Sequence, residues 1–194
     1  MDPTLALFLE TGAYLKGHFR LTSGLHSPEY LQCALVLSHP RHAERLGREL
    51  AAKLQAAECG QVATVVAPAL GGLIIGHEVA RALGTRFLFT ERDGEGRMTL
   101  RRGFSVEPGE RCVVIEDVIT TGGSTKEVVA LLVAAGAEVL AAASVIDRSG
   151  GHASVGVTRT ALVEMSVTSW NETECPLCAE GLPVVKPGSR PAAS

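Results

Sequence analysis

Two periodicities organise the apolar residues of the chain after its first forty positions. Several short runs are almost wholly apolar and rich in β-branched residues, which is typical of strands buried on both faces. Between them, apolar residues recur three or four positions apart, which predicts helices. The strands are VATVVAP (62–68), RFLF (86–89), RCVVIED (111–117), VLAAASVID (139–147) and TALVEMSV (160–167), and the helices are 44–57, 71–84 and 124–137. This alternation predicts an α/β protein with a parallel sheet that helices cover on both faces.

The remaining segments follow weaker patterns. LALFLETGAYL (5–15) predicts a short amphipathic helix, and FRLTSGLHSPEYLQCALVL (19–37) predicts strand, turn and strand. We interpret MTLRRGF (98–104) as the arm of a hairpin and KPGSRPAAS (186–194) as a frayed tail. The sequence contains no internal repeat and no convincing linker, so we expect a single domain.

Composition narrows the class of protein. The chain has 194 residues, 46% of them hydrophobic, which is enough for one domain with a full core. A net charge of −3 supplies no basic field for nucleic acid, and no apolar run approaches the ~18 residues that cross a bilayer. The N-terminus has no basic start of a signal peptide. Five cysteines at scattered positions do not form a disulfide framework, so we expect a reducing, cytoplasmic location.

The most informative stretch is VVIEDVITTGGSTKEVV (113–129). Its centre is a loop between a predicted strand and a predicted helix, made of Thr120, Thr121, Gly122, Gly123 and Ser124. Free N–H groups and the dipole at a helix start favour an anion, glycines let the backbone approach it, and hydroxyls add donors. The loop therefore predicts a phosphate site.

Two acidic residues, Glu116 and Asp117, precede this loop. Like charges repel, so these carboxylates suit a cation or the hydroxyl donors of a sugar, and not the phosphate itself. Two other phosphate motifs do not fit. The sequence lacks G-x-x-x-x-G-K-[ST], and in dinucleotide folds the acid follows the glycines, whereas here it precedes them. We interpret the stretch as carboxylates for a ribose and a loop for its 5′-phosphate.

The order of apolar strand, two acids, apolar pair and Thr-x-Gly-x-Ser resembles the phosphoribosyl-pyrophosphate (PRPP) signature of type I phosphoribosyltransferases. The resemblance implies a parallel sheet flanked by helices, with a small N-terminal hood at about 1–40, a PRPP-binding core at about 60–170 and a C-terminal tail at 171–194. It also implies Mg²⁺, carried by PRPP or pyrophosphate and not by a dedicated protein cage.

Further segments resemble the orotate phosphoribosyltransferases in particular. GHFRLTSGLHSPEYLQ (17–32) resembles their N-terminal signature, and CPLCAEGLPVVKPGSR (175–190) resembles the C-terminal signature of one branch. VVAPALGGLIIGHEVARALG (65–84) resembles the pyrophosphate loop and its helix, and FTERDGEGRMTLRRGF (89–104) resembles the mobile catalytic loop. The implied reaction converts orotate and PRPP to orotidine 5′-monophosphate and pyrophosphate, a step of pyrimidine synthesis.

The resemblance assigns a first group of residues to PRPP. Glu116 and Asp117 would hold the ribose hydroxyls, and Asp117 is counted among the catalytic residues. The loop from Thr120 to Ser124 would hold the 5′-phosphate. Leu70, Gly71 and Gly72 would approach the pyrophosphate through backbone N–H groups.

Arginines of the mobile loop are the other catalytic candidates. Arg92 and Arg97 would close over the pyrophosphate, because guanidinium forks fit phosphate oxygens. The family's loop commonly supplies lysines and a histidine, and residues 90–103 contain neither. Arg101 and Arg102 either share the role or form a solvated hairpin face. The family's loop acts on the neighbouring subunit's site, so the resemblance implies a homodimer.

For orotate, the resemblance points to Tyr30, Thr120 and Arg148. Arg148 follows the strand in SVIDRSGG (144–151), where the family places an arginine for the orotate carboxylate. The alternatives are a surface arginine at a strand end and, for Tyr30, simple core packing. Thr22 stands where many relatives carry a lysine, so that lysine's role is not transferred.

Two features stay open. Cys175 and Cys178 have the spacing of a zinc knuckle but supply only two of four ligands. A shared or histidine-completed zinc site, a reduced pair and a disulfide are the alternatives. Lys186 and Arg190 either touch an anion or belong to a mobile tail. Beside the orotate enzyme, the sequence leaves two other functions: a PRPP-sensing regulator that binds nucleic acid, and a phosphoribosyltransferase for a purine or uracil.

Overall fold

The computed structural model describes residues 2–21, 23–57 and 60–187. Its N-terminal part is a two-stranded antiparallel hairpin accompanied by helices. The elements are α1 (Pro3–Glu10), β1 (Tyr14–Arg20), β2 (His26–Leu31), α2 (Cys33–Leu37) and α3 (Pro40–Ala56). The expected second strand ends at Leu31, and the apolar CALVL segment after it is helical. Cys33, Val36 and Leu37 are buried together, at the spacing of one helix face.

A six-stranded sheet forms the centre of the molecule and confirms the predicted α/β class. Its order is β5-β4-β3-β6-β7-β8; β5 runs antiparallel to β4, and the other neighbours are parallel. The elements are β3 (Thr64–Pro68), α4 (Gly72–Leu83), β4 (Arg86–Arg92), β5 (Met98–Leu100), β6 (Arg111–Ile119), α5 (Gly123–Ala134), β7 (Glu138–Asp147) and β8 (Arg159–Glu164). The MTL residues of the expected hairpin arm are β5.

Helices cover both faces of this sheet, as the apolar strands predict. Helices α3 and α4 pack on one face and α5 on the other. Leu46, Leu50 and Leu54, whose spacing predicts α3, are fully buried. Burying a leucine side chain contributes about 1.5–3 kcal/mol, so this stripe fixes how α3 lies on the sheet.

The parallel direction of β3, β6 and β7 brings their following loops to one edge of the sheet. Strand β6 continues through the acidic pair to Ile119, two residues beyond the predicted end. There, the backbone N–H of Arg148 donates to the carbonyl of Ile119 at 2.8 Å. This edge therefore gathers the loops at 69–71, 120–122 and 148–151, and ligands of such sheets bind there.

The segment after β8 packs onto the N-terminal hairpin. It contains a 3₁₀ turn (Glu172–Glu174) and helix α6 (Pro176–Ala179). The backbones of His26 and Trp170 exchange two hydrogen bonds of 2.8 and 2.9 Å, and Val185 bonds to β1. Thr22, Cys59 and residues 188–194, with Arg190 among them, lie outside the described residues. In the described ranges, no helix combines the length and apolarity needed to cross a membrane.

Candidate active site

The loop between β6 and α5 lines a cleft of about 320 Å³. Gly122 caps α5 with a φ of 79°, and a Cβ there would lie 2.8 Å from Val155 Cγ1. Only glycine fits this position without strain. The first N–H groups of α5 have no partner within the helix, so they are available to an anion. The cleft is lined by Ser23, Arg92, Glu116, Glu127 and residues 118–125.

The acidic pair lies near the end of β6. Glu116 is 8% exposed and lines the phosphate-loop cleft. Asp117 accepts a hydrogen bond from the Val118 N–H at 2.8 Å. Burial and then the charge of Asp117 raise the pKa of Glu116 well above its usual value. Burial also raises the pKa of Asp117, against the hydrogen bonds it accepts. Both carboxylates are therefore under-solvated in the free protein and gain from hydroxyl donors.

We expect Glu116→Gln to raise the stability of the free protein at pH 8. A carboxyl with a folded pKa above its unfolded value of about 4.3 stabilises the fold below that value, and the stabilisation is lost as pH rises towards the folded pKa. Glutamine keeps the shape and removes this loss. Removing a penalty of about 1 kcal/mol would raise Tm by about 2–4 °C. Thermal unfolding followed by circular dichroism, without ligands, measures it.

The pH dependence provides the check on that prediction. The gain of Glu116→Gln should shrink as pH falls from 8 towards 5, because wild-type Glu116 becomes protonated. Glu10→Gln, at an exposed position at the end of α1, is the matched control and should leave Tm nearly unchanged at both pH values. A lower Tm for Glu116→Gln at pH 8 would contradict the prediction.

The loop after β3 lies against the acidic pair. Its Ala69–Leu70 peptide bond is cis, and the Leu70 side chain is 83% exposed. A Cβ on Gly71 would lie 2.6 Å from Asp117 Oδ1, and one on Gly72 would lie 2.9 Å from the Ile115 carbonyl oxygen. The backbone at these glycines therefore packs directly on the end of β6. Side chains at these two positions would prevent this close approach.

The β4–β5 hairpin separates the two arginine candidates. Arg92 lines the phosphate-loop cleft, and its Nη1 lies 2.9 Å from Glu127 Oε2 of α5. Arg97 is at the hairpin tip, where it pairs with Asp93 and Glu95 and keeps 70% of its side chain exposed. Arg97 is not among the residues that line the cleft.

The other two arginines of the hairpin also lie away from the cleft lining. Arg102 pairs with Glu91 at 2.8 Å and lies over the Phe89 ring, and Arg101 is exposed. Of these four arginines, Arg92 is the one that lines the phosphate-loop cleft together with Glu116.

A second cleft, of about 250 Å³, adjoins the first. Tyr30, Asp117, Thr120 and Arg148 all line it. Arg148 Nε is buried, and none of the described residues offers it a hydrogen-bond acceptor. Burial lowers the pKa of Arg148 below its usual range and raises the pKa of Tyr30. A buried donor without a partner costs free energy, so this cleft favours an anionic ligand.

The neighbouring carboxylate does not neutralise Arg148. Asp147 is fully buried, makes a short ion pair with Arg159 and accepts hydrogen bonds from Ser149. Asp147 therefore has its partners in Arg159 and Ser149, although it is next to Arg148 in sequence.

Some residues of the clefts were not singled out from the sequence. Ser23 lines both clefts, and Gln32 and Cys33 line the second. The Ser-Gly pair between two predicted strands is the sequence feature that points to Ser23, because such a pair is typical of a turn. Gln32 and Cys33 carry no comparable signal, because only the fold brings α2 to the edge.

Comparison with known proteins agrees with this geometry. The phosphoribosyl transferase domain family matches residues 36–173. The orotate phosphoribosyltransferase of Pelotomaculum thermopropionicum is 53% identical over 189 residues, with 97% of each chain covered. That of Heliobacterium modesticaldum is 53% identical over 189 residues, covering 97% of this chain and 98% of the other.

A solved structure supports the fold independently. The orotate phosphoribosyltransferase of Aeropyrum pernix matches with a TM-score of 0.69 at 23% identity, covering 82% of this chain and 92% of that one. Similarity at this level of identity concerns the fold alone. Together with the family match and the relatives above half identity, it means that the chain belongs to the phosphoribosyltransferase family and, within it, to the orotate phosphoribosyltransferases.

Proposed function

We propose that this protein transfers the 5-phosphoribosyl group of PRPP to orotate, forming orotidine 5′-monophosphate and pyrophosphate in pyrimidine synthesis. The observation that carries the proposal is the junction of two clefts. One contains a phosphate loop and a buried acid, and the other contains an unpartnered arginine. They share Thr120 and Thr121, so a sugar phosphate in the first is next to a base in the second.

The first cleft would hold the ribose phosphate. N–H groups and hydroxyls between Thr120 and Ser124 bind the 5′-phosphate. The ribose hydroxyls donate to Glu116 and Asp117, and these bonds relieve the under-solvation of both carboxylates. The carboxylate of Asp117 then faces the positive charge that develops on the ribose as pyrophosphate leaves, so the site favours the transition state over the ground state.

Pyrophosphate would lie between the β3 loop and the hairpin. Backbone N–H groups at Leu70, Gly71 and Gly72 approach it, and Arg92 offers a guanidinium fork. Mg²⁺ prefers oxygen ligands, and the carboxylates of the nearby acidic pair and the phosphates of the substrate would supply them. When bound, the ion would supply positive charge against the leaving pyrophosphate. In the part of the chain that the structure describes, no cluster of acids forms a separate metal cage at this edge.

Orotate would occupy the second cleft. Its carboxylate meets the Arg148 fork, Thr120 lies at the shared wall, and Tyr30 packs beside the ring. Orotate is already an anion, so the transfer needs no strong general base. We propose a cytoplasmic location, because the four described cysteines are all free thiols. We also treat residues 1–194 as one domain, with the hood at about 1–40 over the core.

Pyrophosphate release from PRPP and Mg²⁺ tests the function directly. Orotate, uracil, adenine and hypoxanthine are offered separately to the purified protein. We expect release with orotate alone, since only orotate carries a carboxylate for Arg148. Release with another base would keep the PRPP site and overturn the base assignment. Tight PRPP binding without release from any base would favour the regulator.

We further propose a homodimer in which the hairpin tip acts on the neighbouring site, while Arg92 acts in its own chain. The exposed position of Arg97 outside its own cleft supports this division. Mixing Asp117→Asn with Arg97→Ala subunits should then restore activity to about a quarter of wild type, because half of the dimers hold one intact site of two. Mixing Asp117→Asn with Arg92→Ala should restore none.

Subunit exchange is checked before each assay by native mass spectrometry, which separates the mixed dimer from both homodimers by mass. Equal restoration by both mixtures would place Arg92 in the neighbouring site. No restoration by the Arg97→Ala mixture, with exchange demonstrated, would contradict action of the tip between subunits.

A further inference from the structure

Four metal-ligating side chains meet away from both clefts. His18 of β1 and His26 of β2 lie beside Cys175 and Cys178 at helix α6, and one ligand atom from each lies within 4.8 Å of all the others. His18, His26 and Cys175 are at most 4% exposed. Neither histidine nor either cysteine lines the clefts of the candidate active site.

The separations fit the edges of a tetrahedron. His18 Nε2 lies 2.8 Å from His26 Nδ1, 3.5 Å from Cys175 Sγ and 3.7 Å from Cys178 Sγ, and His26 Nδ1 lies 3.2 Å from Cys178 Sγ. With Zn–N of about 2.0–2.1 Å and Zn–S of about 2.3 Å, ideal edges are about 3.3 Å for N–N and about 3.6 Å for N–S. These four edges lie within about half an ångström of the ideal lengths, and the other two are no longer than 4.8 Å.

The hydrogen bonding of His18 orients a lone pair into the cluster. Its Nδ1 lies 2.8 Å from the carbonyl oxygen of Leu182. A carbonyl can only accept, so Nδ1 carries the hydrogen, and Nε2 of the neutral ring is left with its lone pair facing the two sulfurs. An imidazole whose second nitrogen donates to a backbone carbonyl is the usual arrangement of a metal ligand.

We propose that His18, His26, Cys175 and Cys178 bind one Zn²⁺ as a closed Cys₂His₂ structural site. The two thiols bind as thiolates and release their protons to solvent, and no oxidation or reduction occurs. Nitrogen and sulfur donors of this kind select Zn²⁺ over Mg²⁺, which prefers oxygen. With four protein ligands the ion has no open position, so its role is structural and not catalytic.

The location of the site explains what the ion would stabilise. The site joins both strands of the N-terminal hairpin to the segment that contains α6. Backbone hydrogen bonds of Trp170 and Val185 connect the same two parts of the chain. Strand β2 carries Tyr30, which lines the second cleft. Zinc would therefore hold the hood in place over the base cleft. The inference stands whether or not orotate is the substrate.

Metal analysis of the full-length protein tests the proposal. Protein produced with zinc and purified under reducing conditions should contain about one Zn²⁺ per chain by mass spectrometry. Cys178→Ser should lose most of it. Cys112→Ser is the matched control, because Cys112 is a free buried thiol of β6 outside the cluster, and it should retain wild-type zinc. Removing zinc from wild type with a chelator should lower Tm by at least about 5 °C.

Cobalt provides a readout that does not depend on a variant folding. Wild-type protein freed of zinc and titrated with Co²⁺ should develop thiolate-to-cobalt charge-transfer absorption and the visible bands of a tetrahedral ion, saturating at about one equivalent. Absence of these bands would overturn the site. So would equal zinc in wild type and a folded Cys178→Ser variant, or a Cys175–Cys178 disulfide found by mass spectrometry in protein whose thiols were trapped inside the cells.

Discussion

Asp117→Asn is expected to lower kcat by about 10²- to 10³-fold, the range for losing one group that stabilises transition-state charge. Asparagine keeps the volume of the side chain, and its oxygen can still accept from the Val118 N–H. It lacks the negative charge opposite the positive charge that develops on the ribose, and its amide nitrogen cannot accept a hydrogen bond from a ribose hydroxyl. The free variant should unfold at the wild-type temperature or above it, because burial raises the pKa of Asp117 and so opposes its charge.

Steady-state kinetics with saturating orotate and PRPP measures this effect, and circular dichroism checks the fold. Asp2→Asn is the matched control, because Asp2 accepts from backbone N–H groups at the start of α1, and asparagine caps helices as well as aspartate does. We expect that control to have wild-type kcat. Wild-type kcat in Asp117→Asn, or a loss matched by a lower Tm, would remove Asp117 from the catalytic residues.

The sheet is the part of the fold that local sequence predicts best. Buried parallel strands are apolar on both faces, so β3, β6 and β7 stand out without any knowledge of their neighbours. The CALVL segment shows the limit of this signal. Five apolar residues fit a strand or one buried helical turn equally well, and packing of Val36 and Leu37 into the core decides for α2.

The same limit applies to the site. Glu116 and the residues from Val118 to Ser124, which are close in sequence, line one cleft because one strand and one helix start position them. Contacts between distant segments do not follow from local pattern. The approach of Gly71 to Asp117, and the meeting of Tyr30 with Arg148, arise only when the sheet is assembled.

The histidine and cysteine cluster is a sharper example. The spacing of Cys175 and Cys178 predicts two of the four ligands of a zinc site. His18 and His26 are about 150 residues away, and their own spacing is not typical of metal ligands. Strand pairing of β1 with β2 brings the histidines together, and the C-terminal segment then adds the sulfurs. The sequence therefore left zinc open among three alternatives, and tertiary structure supplies the missing ligands.

Arg148→Ala is expected to raise the KM for orotate by about 10- to 100-fold, since hydrogen bonds to a charged group contribute about 1.5–3 kcal/mol. The fork would pair with both carboxylate oxygens of orotate, and a lysine offers only a point charge. Arg148→Lys should therefore fall between wild type and alanine. The Kd of PRPP, measured by isothermal titration calorimetry, should stay within about threefold of wild type, because Arg148 is absent from the lining of the phosphate-loop cleft.

A change in the KM for orotate without a change in the Kd of PRPP would distinguish a role in orotate binding from a general loss of structure. Arg41→Ala, at an exposed position of α3, serves as the control for removing a positive charge and should alter neither constant. Arg148→Ala should also weaken inhibition by carboxylate-bearing pyrimidines and should not change inhibition by uracil, since uracil has no carboxylate to pair with the guanidinium. Equal loss for orotate and PRPP would mean that Arg148 supports the fold of the sheet edge. Loss for PRPP alone would mean that its free Nε faces phosphate, and the second cleft would then not be the base site.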